Sequence, residues 1–261
     1  MEFTAALRKQ IAQLAKAKCR RELGLFVAEG TKCVTDTLPH FRCRYLLATD
    51  AWLKSHGDIL PPSVEAIGVR QSDIERMSSL STPQQVMAVY EIPEDIPLPD
   101  DAENGLLVAL DRVQDPGNLG TIIRLCDWFG VRHILCARET ADVYSPKVVQ
   151  ATMGAISRVR LHYCDLASEL ERLAGSMPVY GTFLDGTNLY DSGIDRSRGV
   201  IVMGNEGRGI SPEVEAALSH RLLIPSYPPD EATSESLNVA MATAIMLAEF
   251  RRSLPAAPVR N

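Results

Sequence analysis

The side chains best suited to chemistry occur in three polar segments, each of which follows an apolar run. They read DRVQDPGN (111–118), GNEGRG (204–209) and SYPPDEATSESLN (226–238). The first segment and the helix expected after it place Asp111, Gln114, Asp115, Asn118 and Arg124 at the carboxyl end of a strand or in the first turns after it. Amide, guanidinium, carboxylate and hydroxyl groups bind hydroxyls and phosphates and can hold or move a proton.

The first polar segment lies between an expected buried strand and an expected helix. GLLVAL, residues 105–110, is an unbroken apolar run, typical of a strand buried on both faces. From Asn118 the apolar residues recur at three- and four-residue steps, which predicts a helix that Gly130 ends. Open α/β sheets bind ligands at the carboxyl ends of their strands, so we expect a site here. The alternative is a connector whose polar residues are only solvated.

The second polar segment contains three glycines between an expected strand and an expected helix. Their spacing is GxxGxG, whereas the dinucleotide-binding pattern is GxGxxG, and no Walker lysine follows. The segment therefore gives only weak support to a nucleotide-dependent oxidoreductase.

Histidine and cysteine spacing predicts no metal site. The five histidines are far apart, and the six cysteines form no CxxC pair. This pattern favours reduced thiols and a cytoplasmic location. No apolar run is long enough to span a membrane, and the first 22 residues lack the apolar segment of a secretory signal.

Charge and proline content divide the 261 residues into two domains. We expect an N-terminal domain at residues 1–92, a linker at 93–104 and a second domain at 105–261. The linker region is rich in proline and acidic residues, which suit neither a helix interior nor a central strand. The net charge is −6, yet basic residues crowd the start of the chain. Four of them are candidate contacts to nucleic-acid phosphates, the alternative being a solvated face: Lys16, Lys18, Arg20 and Arg21.

Apolar periodicity predicts α/β structure in both domains. The first alternates short strands and helices, which favours a small α/β sandwich. In the second, strands separated by helices of about ten residues favour a parallel sheet with helices on both faces. We expect the chain to finish in a long helix from about Ser236 to Arg252.

The three polar segments, taken in order, resemble the motifs of a known family. NLGTIIR, GNEGRGI and ESLNVAMATAI look like the three motifs of the SpoU (TrmH-type) RNA ribose methyltransferases, within the SPOUT superfamily. The resemblance implies a C-terminal trefoil knot, S-adenosylmethionine (SAM) as methyl donor and a homodimer with its sites at the interface. The N-terminal segment containing FVAEG resembles the substrate-binding domain that precedes many of these catalytic domains and is similar to RNA-binding ribosomal proteins.

The resemblance also assigns roles to matching positions. It implies catalytic roles for Asn118, Arg124, Glu206, Ser236 and Asn238. It implies cofactor contacts at Thr182, Gly204, Ile224 and Leu237. One departure affects the expected cofactor pocket: Ser226 replaces the family's methionine, and the tract from Tyr227 to Glu235 is longer and has no glycine.

The reaction implied is transfer of the SAM methyl group to a ribose 2′-hydroxyl of rRNA or tRNA, with no metal required. In the family view Arg124 accepts the hydroxyl proton. A guanidinium is almost never neutral in proteins, so Arg124 could instead hold a phosphate and stabilise the developing alkoxide. Asn118 would orient the ribose, and Glu206 would orient Arg124 or its loop. The alternative function is a non-catalytic RNA-binding or ribosome-assembly factor that keeps the knotted fold.

Overall fold

The computed structural model describes residues 3–228, 231 and 234–252. The chain forms two compact units. The first comprises Met1–Asp95 and Asp142–Arg158, and the second comprises Ile96–Ala141 and Val159–Asn261. Within the described residues, no helix is both long and apolar enough to cross a bilayer.

The first unit is a four-stranded mixed sheet with short helices. The strand order is β1-β4-β2-β3, in which only β2 and β3 run parallel. The helices are α1 (Ala5–Gln13), α2 (Ala17–Leu23), α3 (Thr31–Thr37), α4 (Asp50–His56), α5 (Gln71–Met77) and α7 (Pro146–Thr152). The strands are β1 (Leu25–Glu29), β2 (Cys43–Ala48), β3 (Ala66–Gly68) and β4 (Val86–Glu91).

Segment 142–158, which contains α7, belongs to this first unit, although the sequence analysis places it in the second domain. The Tyr144 ring lies 4.8 Å from the Phe26 ring, centroid to centroid. Asp142 accepts two hydrogen bonds from the Arg20 guanidinium, at 2.5 and 3.1 Å. Apolar periodicity predicts that a helix such as α7 is buried, but it does not identify the surface that covers it.

Arg20 is therefore not part of an exposed basic face, which argues against its expected role as an RNA contact. Its side chain is 3% exposed, and the guanidinium also donates to the carbonyls of Leu14 and Ala15. A buried guanidinium needs such partners because leaving water is costly for a charge. Lys16, Lys18 and Arg21 are exposed, as expected for a basic surface.

The second unit is built on a six-stranded, all-parallel sheet with the order β10-β8-β9-β5-β6-β7. Its strands are β5 (Leu106–Leu110), β6 (His133–Ala137), β7 (Arg160–Cys164), β8 (Val179–Asn188), β9 (Gly199–Met203) and β10 (His220–Leu223). Its helices are α6 (Pro116–Trp128), α8 (Leu166–Ala174), α9 (Pro212–Glu215) and α10 (Val239–Arg251). This arrangement confirms the expected α/β class with a parallel sheet. The trefoil knot stays a prediction.

The central strands β5 and β9 are buried along their whole length, as their apolar sequences require. Leu107 and Ala109 of β5 pack with the apolar residues of α8 and α9. Helix α6, which follows the first polar segment, packs against α10, which follows the third. The ends of β5 and β9 therefore bring the first two polar segments to one edge of the sheet.

Candidate active site and cofactor cavity

Helix α6 begins where the first polar segment ends. Asp115 is its N-cap residue and accepts a hydrogen bond from the Asn118 backbone N–H over 2.8 Å. Pro116 occupies the first helical position, where its missing N–H leaves no helical bond unmade. Asn118 thus lies in the first turn with its side chain free for other contacts. Arg124 lies further along α6, is exposed, and has no bonding partner among the described residues.

A chain of hydrogen bonds joins the three polar segments through Asn118. Its Nδ2 donates to Glu206 Oε1 over 2.6 Å, and its Oδ1 accepts from Asn238 Nδ2 over 3.0 Å. The partners are 88 and 120 residues away in sequence, so only the fold brings them together. Three of the five predicted catalytic residues therefore form one connected group.

Asn238 also fixes the start of α10. Its Oδ1 accepts from the backbone N–H groups of Ala240 and Met241, at 2.9 and 3.3 Å, which is the bonding of a helix N-cap. Because the oxygen is used in the cap, the Nδ2 atom is the group directed to Asn118. Asn238 therefore links the start of α10 to the Asn118–Glu206 pair.

A cavity of about 350 Å³ lies beside this group. All four residues predicted to contact the cofactor line it, together with Glu206 and Ser236. The full lining is Thr182, Phe183, Leu184, Met203, Gly204, Asn205, Glu206, Gly207, Gly209, Ile224, Glu235, Ser236, Leu237, Val239 and Ala242. The polar segments and the predicted cofactor contacts thus meet in one place.

Gly204 is required by the close approach of its own loop. A Cβ atom at this position would lie 2.4 Å from the carbonyl carbon of Gly209 and 2.6 Å from the backbone nitrogen of Ile210. Both are main-chain atoms, which cannot move aside cheaply. A side chain at 204 would therefore push apart the two strands of the loop that forms the cavity wall.

The cavity fits an adenosyl cofactor in size and in chemistry. Its volume lies within the usual range for small-molecule sites. Apolar side chains such as Ile224, Leu237 and Val239 can cover an adenosine, while Thr182 and Glu206 supply polar groups. The described residues contain no cluster of three or more potential metal ligands.

Sequence reasoning missed Phe183, which lines the cavity. The Arg221 guanidinium lies over its ring, 3.5 Å from the centroid, and bonds to Asp185 over 2.6 Å. The pKa of this guanidinium is raised, first by its hydrogen bond to Asp185 and then by the negative charges of Asp185 and Glu215. No sequence signal identifies this ring, because its contact with a cation comes from Arg221 on the distant strand β10.

The extended third segment is described only in part. Residues 229, 230, 232 and 233 lie outside the described residues. Tyr227 is 88% exposed, whereas Glu235 lines the cavity. The effect of the longer tract on the pocket stays a prediction.

Comparisons with known proteins agree with this geometry. Residues 105–248 match the sequence model of the SpoU rRNA methylase family. Residues 8–88 match that of the MRM3-like substrate-binding domain. The second match confirms the expected resemblance of the N-terminal region to a substrate-binding domain.

Individual relatives extend over nearly the whole chain. The 23S rRNA (guanosine(2553)-2′-O)-methyltransferase RlmP of Bacillus subtilis is 29% identical over 93% of this chain and 95% of its own length. A TrmH-family protein from Porphyromonas gingivalis is 42% identical, with a TM-score of 0.86 over 97% of this chain and 99% of that one. The AdoMet-bound rRNA methyltransferase from Sinorhizobium meliloti is 31% identical, with a TM-score of 0.84 over 98% of each chain. The chain therefore belongs to the SpoU rRNA methylase family, and it is a SAM-dependent RNA methyltransferase.

Proposed function

We propose that the chain transfers the methyl group of SAM to a ribose 2′-hydroxyl of rRNA. The observation that carries this proposal is the hydrogen-bonded group of Asn118, Glu206 and Asn238 beside the cavity. Its amide and carboxylate groups suit a hydroxyl acceptor. The name of the Bacillus subtilis relative, a 2′-O-methyltransferase acting on 23S rRNA, supports the same acceptor and the same class of RNA. Transfer to tRNA is the other outcome of the test below.

The protein must place the ribose hydroxyl in line and manage its proton. Bound SAM supplies a methyl group on a sulfonium, which is already a good leaving group. Holding two reactants in the reactive geometry removes much of the barrier to such a transfer. Glu206 holds the Asn118 amide in one orientation, and Asn118 in turn orients the ribose. Ser236, in the cavity lining, offers a further hydroxyl close to the reacting groups.

Arg124 is a charged group that is available to contact the RNA. It is exposed and has no partner among the described residues, unlike the guanidinium of Arg221. A planar guanidinium can hold a phosphate by two parallel hydrogen bonds and stabilise an alkoxide as it forms. We favour this role over that of a general base, because a guanidinium keeps its proton in proteins.

A ribose acceptor also agrees with the small number of aromatic side chains in the described lining of the cavity. Enzymes that modify a base extrude it and stack it between aromatic or apolar side chains. Phe183 is the one aromatic residue in the described lining, and the Arg221 guanidinium covers its ring. The polar groups beside the cavity therefore serve a hydroxyl better than a base edge.

The test is a single 2′-deoxy substitution. The full-length protein is first incubated with labelled SAM and, separately, rRNA and tRNA from methylation-deficient cells, and the modified nucleotide is mapped. A synthetic RNA with deoxyribose at that nucleotide should accept no methyl group, while its binding should change little because most contacts lie elsewhere. Methylation of the deoxy RNA would show that the base is the acceptor and would contradict the proposal. Labelling of tRNA alone would contradict the rRNA assignment.

The N-terminal domain is proposed to bind the RNA through its basic surface. Lys16, Lys18 and Arg21 are exposed on and beside α2. Lysine and arginine side chains on a surface bind RNA backbones by displacing counterions, so this binding should weaken with salt. A cytoplasmic location stays a prediction from the cysteine pattern.

A homodimer formed by the catalytic domain is also proposed. Helix α10 presents an apolar stripe at helical spacing, comprising Met241, Ala244, Ile245 and Ala248, and Trp128 of the neighbouring α6 is 84% exposed. Contiguous apolar patches on a protein surface mark sites of protein–protein interaction. Sedimentation of a Met241→Glu variant should show dissociation, whereas the same change at exposed Tyr190 should not. Unchanged sedimentation of the Met241 variant would contradict this interface.

A further inference from the structure

The glycine-rich loop, residues 204–209, is fastened to the two residues that follow β5. At its start, Asn205 Nδ2 donates to the Arg112 carbonyl over 2.8 Å. Just beyond its end, the Ser211 backbone N–H donates to Asp111 Oδ2 over 2.6 Å. The Asp111 carboxylate is 2% exposed, and its other oxygen accepts from Arg112 Nε over 3.0 Å. The path of the loop is thus fixed at both ends by the first polar segment.

The oxygen of the Asn205 amide has a different set of partners from the nitrogen. It accepts from the backbone N–H groups of Gly207 and Arg208, at 3.0 and 3.1 Å. This is an Asx turn, in which a side-chain oxygen replaces a backbone carbonyl. The backbone of Asn205 also pairs with Gly209. Because Gly207 and Gly209 line the cavity, the oxygen of Asn205 determines the shape of the cavity wall.

The acceptor for the Asn205 nitrogen is held in an unusual backbone conformation. Arg112 has a φ of 58°, in the left-handed region that residues other than glycine rarely adopt. Its guanidinium bonds to Asp111, and its carbonyl accepts from Asn205. Strained residues persist where their surroundings determine them from several sides, and such residues cluster at functional sites.

Glu206 follows Asn205 directly, so any displacement of Asn205 is passed to Glu206. The Glu206–Asn118 hydrogen bond is 2.6 Å long. Hydrogen bonds of this kind are lost beyond about 3.5 Å, so a shift of about 1 Å is enough to break it.

We propose that Asn205 is a positioning residue whose two amide atoms have separable effects. The nitrogen, through Arg112, keeps Glu206 within reach of Asn118 and so supports methyl transfer. The oxygen, through Gly207 and Arg208, shapes the cofactor cavity and so supports SAM binding. This inference rests on the proposed role of Glu206 in methyl transfer.

Three substitutions in the full-length protein separate the two effects. Asn205→Asp keeps an oxygen acceptor for the turn but has no donor for the Arg112 carbonyl. Asn205→Ser offers a hydroxyl acceptor in a similar turn, adds no charge, and is too short to reach that carbonyl. Asn205→Ala removes both functions. Asn104→Asp, at an exposed position, is the control for added charge.

The readouts are the Kd for SAM by calorimetry and the single-turnover rate of methyl transfer at saturating SAM. The Asp and Ser variants should bind SAM within about threefold of the unchanged protein but transfer methyl about 30-fold more slowly or worse. The Ala variant should also weaken SAM binding by about tenfold or more. Asn104→Asp should change neither quantity.

Two results would overturn the inference. One is normal transfer rates in both the Asp and Ser variants. The other is loss of SAM affinity in those variants as large as in Asn205→Ala. Thermal melting of each variant identifies misfolding, and the uncharged Ser variant carries the test if the Asp variant does not fold. Glu206→Ala is measured in parallel: if it transfers at the normal rate, the proposed function fails, and if only it is inactive, the role of Asn205 fails.

Discussion

In the first unit three charged side chains are buried and paired, whereas in the second the polar residues of the site stay close to solvent. Arg20, Glu29 and Asp73 are each under 6% exposed and bonded to groups of their own unit. Asn118 and Glu206 bond to each other, yet Glu206 is exposed and Asn118 only half-buried. Buried charges require partners, so losing a partner is costly to the fold, whereas exposed groups stay available to a substrate. Environment, more than residue type, therefore separates structural from functional groups here.

The largest effect should come from Arg124, an exposed cation on α6 of the second unit. Arg124→Ala should lower methyl transfer by about 1000-fold, because a group that stabilises developing charge is lost. SAM affinity should stay within about threefold, since Arg124 is not in the cavity lining. Arg124→Lys should recover little, because an ammonium has no planar fork. Calorimetry and single-turnover transfer measure the two quantities.

Arg138→Ala, which removes another exposed arginine of the second unit, is the control and should leave transfer unchanged. Loss of SAM binding in Arg124→Ala would show that this residue has a structural role. The difference drawn between the two units would then not hold.

The next effect concerns the buried ion pair of the first unit. Asp142→Ala should lower the free energy of unfolding by about 3 kcal/mol, because it leaves the Arg20 charge buried without its carboxylate. Urea unfolding measures this loss. Glu22→Ala breaks an exposed pair with Lys18 and should change stability by less than about 1 kcal/mol. Equal losses in the two variants would show that burial does not distinguish them.

A smaller effect is expected at the basic surface. Replacing Lys18 and Arg21 with alanine should weaken RNA binding roughly tenfold at low salt. The slope of log affinity against log salt concentration should become shallower by about 1 per residue. SAM affinity should not change. Removal of Lys54 and Arg76, two other exposed cations of the first unit, is the matched control. An equal loss in that control would mean that the contacts are not concentrated near α2.

The smallest effect is a pH dependence of stability through Glu29. Burial raises the pKa of this carboxyl above its ordinary value of 4.5, against hydrogen bonds from Ser78 and the Ser79 backbone. The folded protein therefore binds this proton more tightly than the unfolded chain does. The contribution of Glu29 to the free energy of unfolding is largest below pH 4.5 and is lost as the pH rises through the raised pKa. Relative to unchanged protein, Glu29→Gln should gain stability between acid and neutral pH.

Urea unfolding at several pH values measures this change, with Glu75→Gln, at an exposed position of α5, as the comparison. If the free energies of unfolding of Glu29→Gln and the unchanged protein differed by the same amount at every pH, the role given to burial would be contradicted.

The fold of the second unit could be predicted from sequence because its signals are local. The apolar run at 105–110, the polar residues after it and the helical spacing from Asn118 each specify a neighbouring element. Parallel strands then require their carboxyl ends to meet at one edge. The hydrogen bonds from Asn118 to Glu206 and Asn238 could not be read in advance, because they depend on the path of two distant loops. The same holds for Asn205, whose partners include the carbonyl of Arg112.

Arg20 shows why the first unit was harder to predict. In the sequence it stands beside Arg21 and close to Lys18, and nothing local separates the three. Its partner Asp142 is 122 residues away, in a segment that follows β6 of the second unit. Long-range pairing alone determines that Arg20 is structural while its neighbours stay exposed.

The placement of segment 142–158 has a consequence for biosynthesis. The ribosome releases the chain from its N-terminus, and domains generally fold as units while they emerge. The first unit, however, includes residues up to Arg158, and about 46 residues of the second unit are made in between. Until α7 emerges, Phe26 lacks the ring of Tyr144 and Arg20 lacks its carboxylate. The nascent N-terminal region should therefore stay incomplete, and a substrate for chaperones, until more than half of the protein has been synthesised.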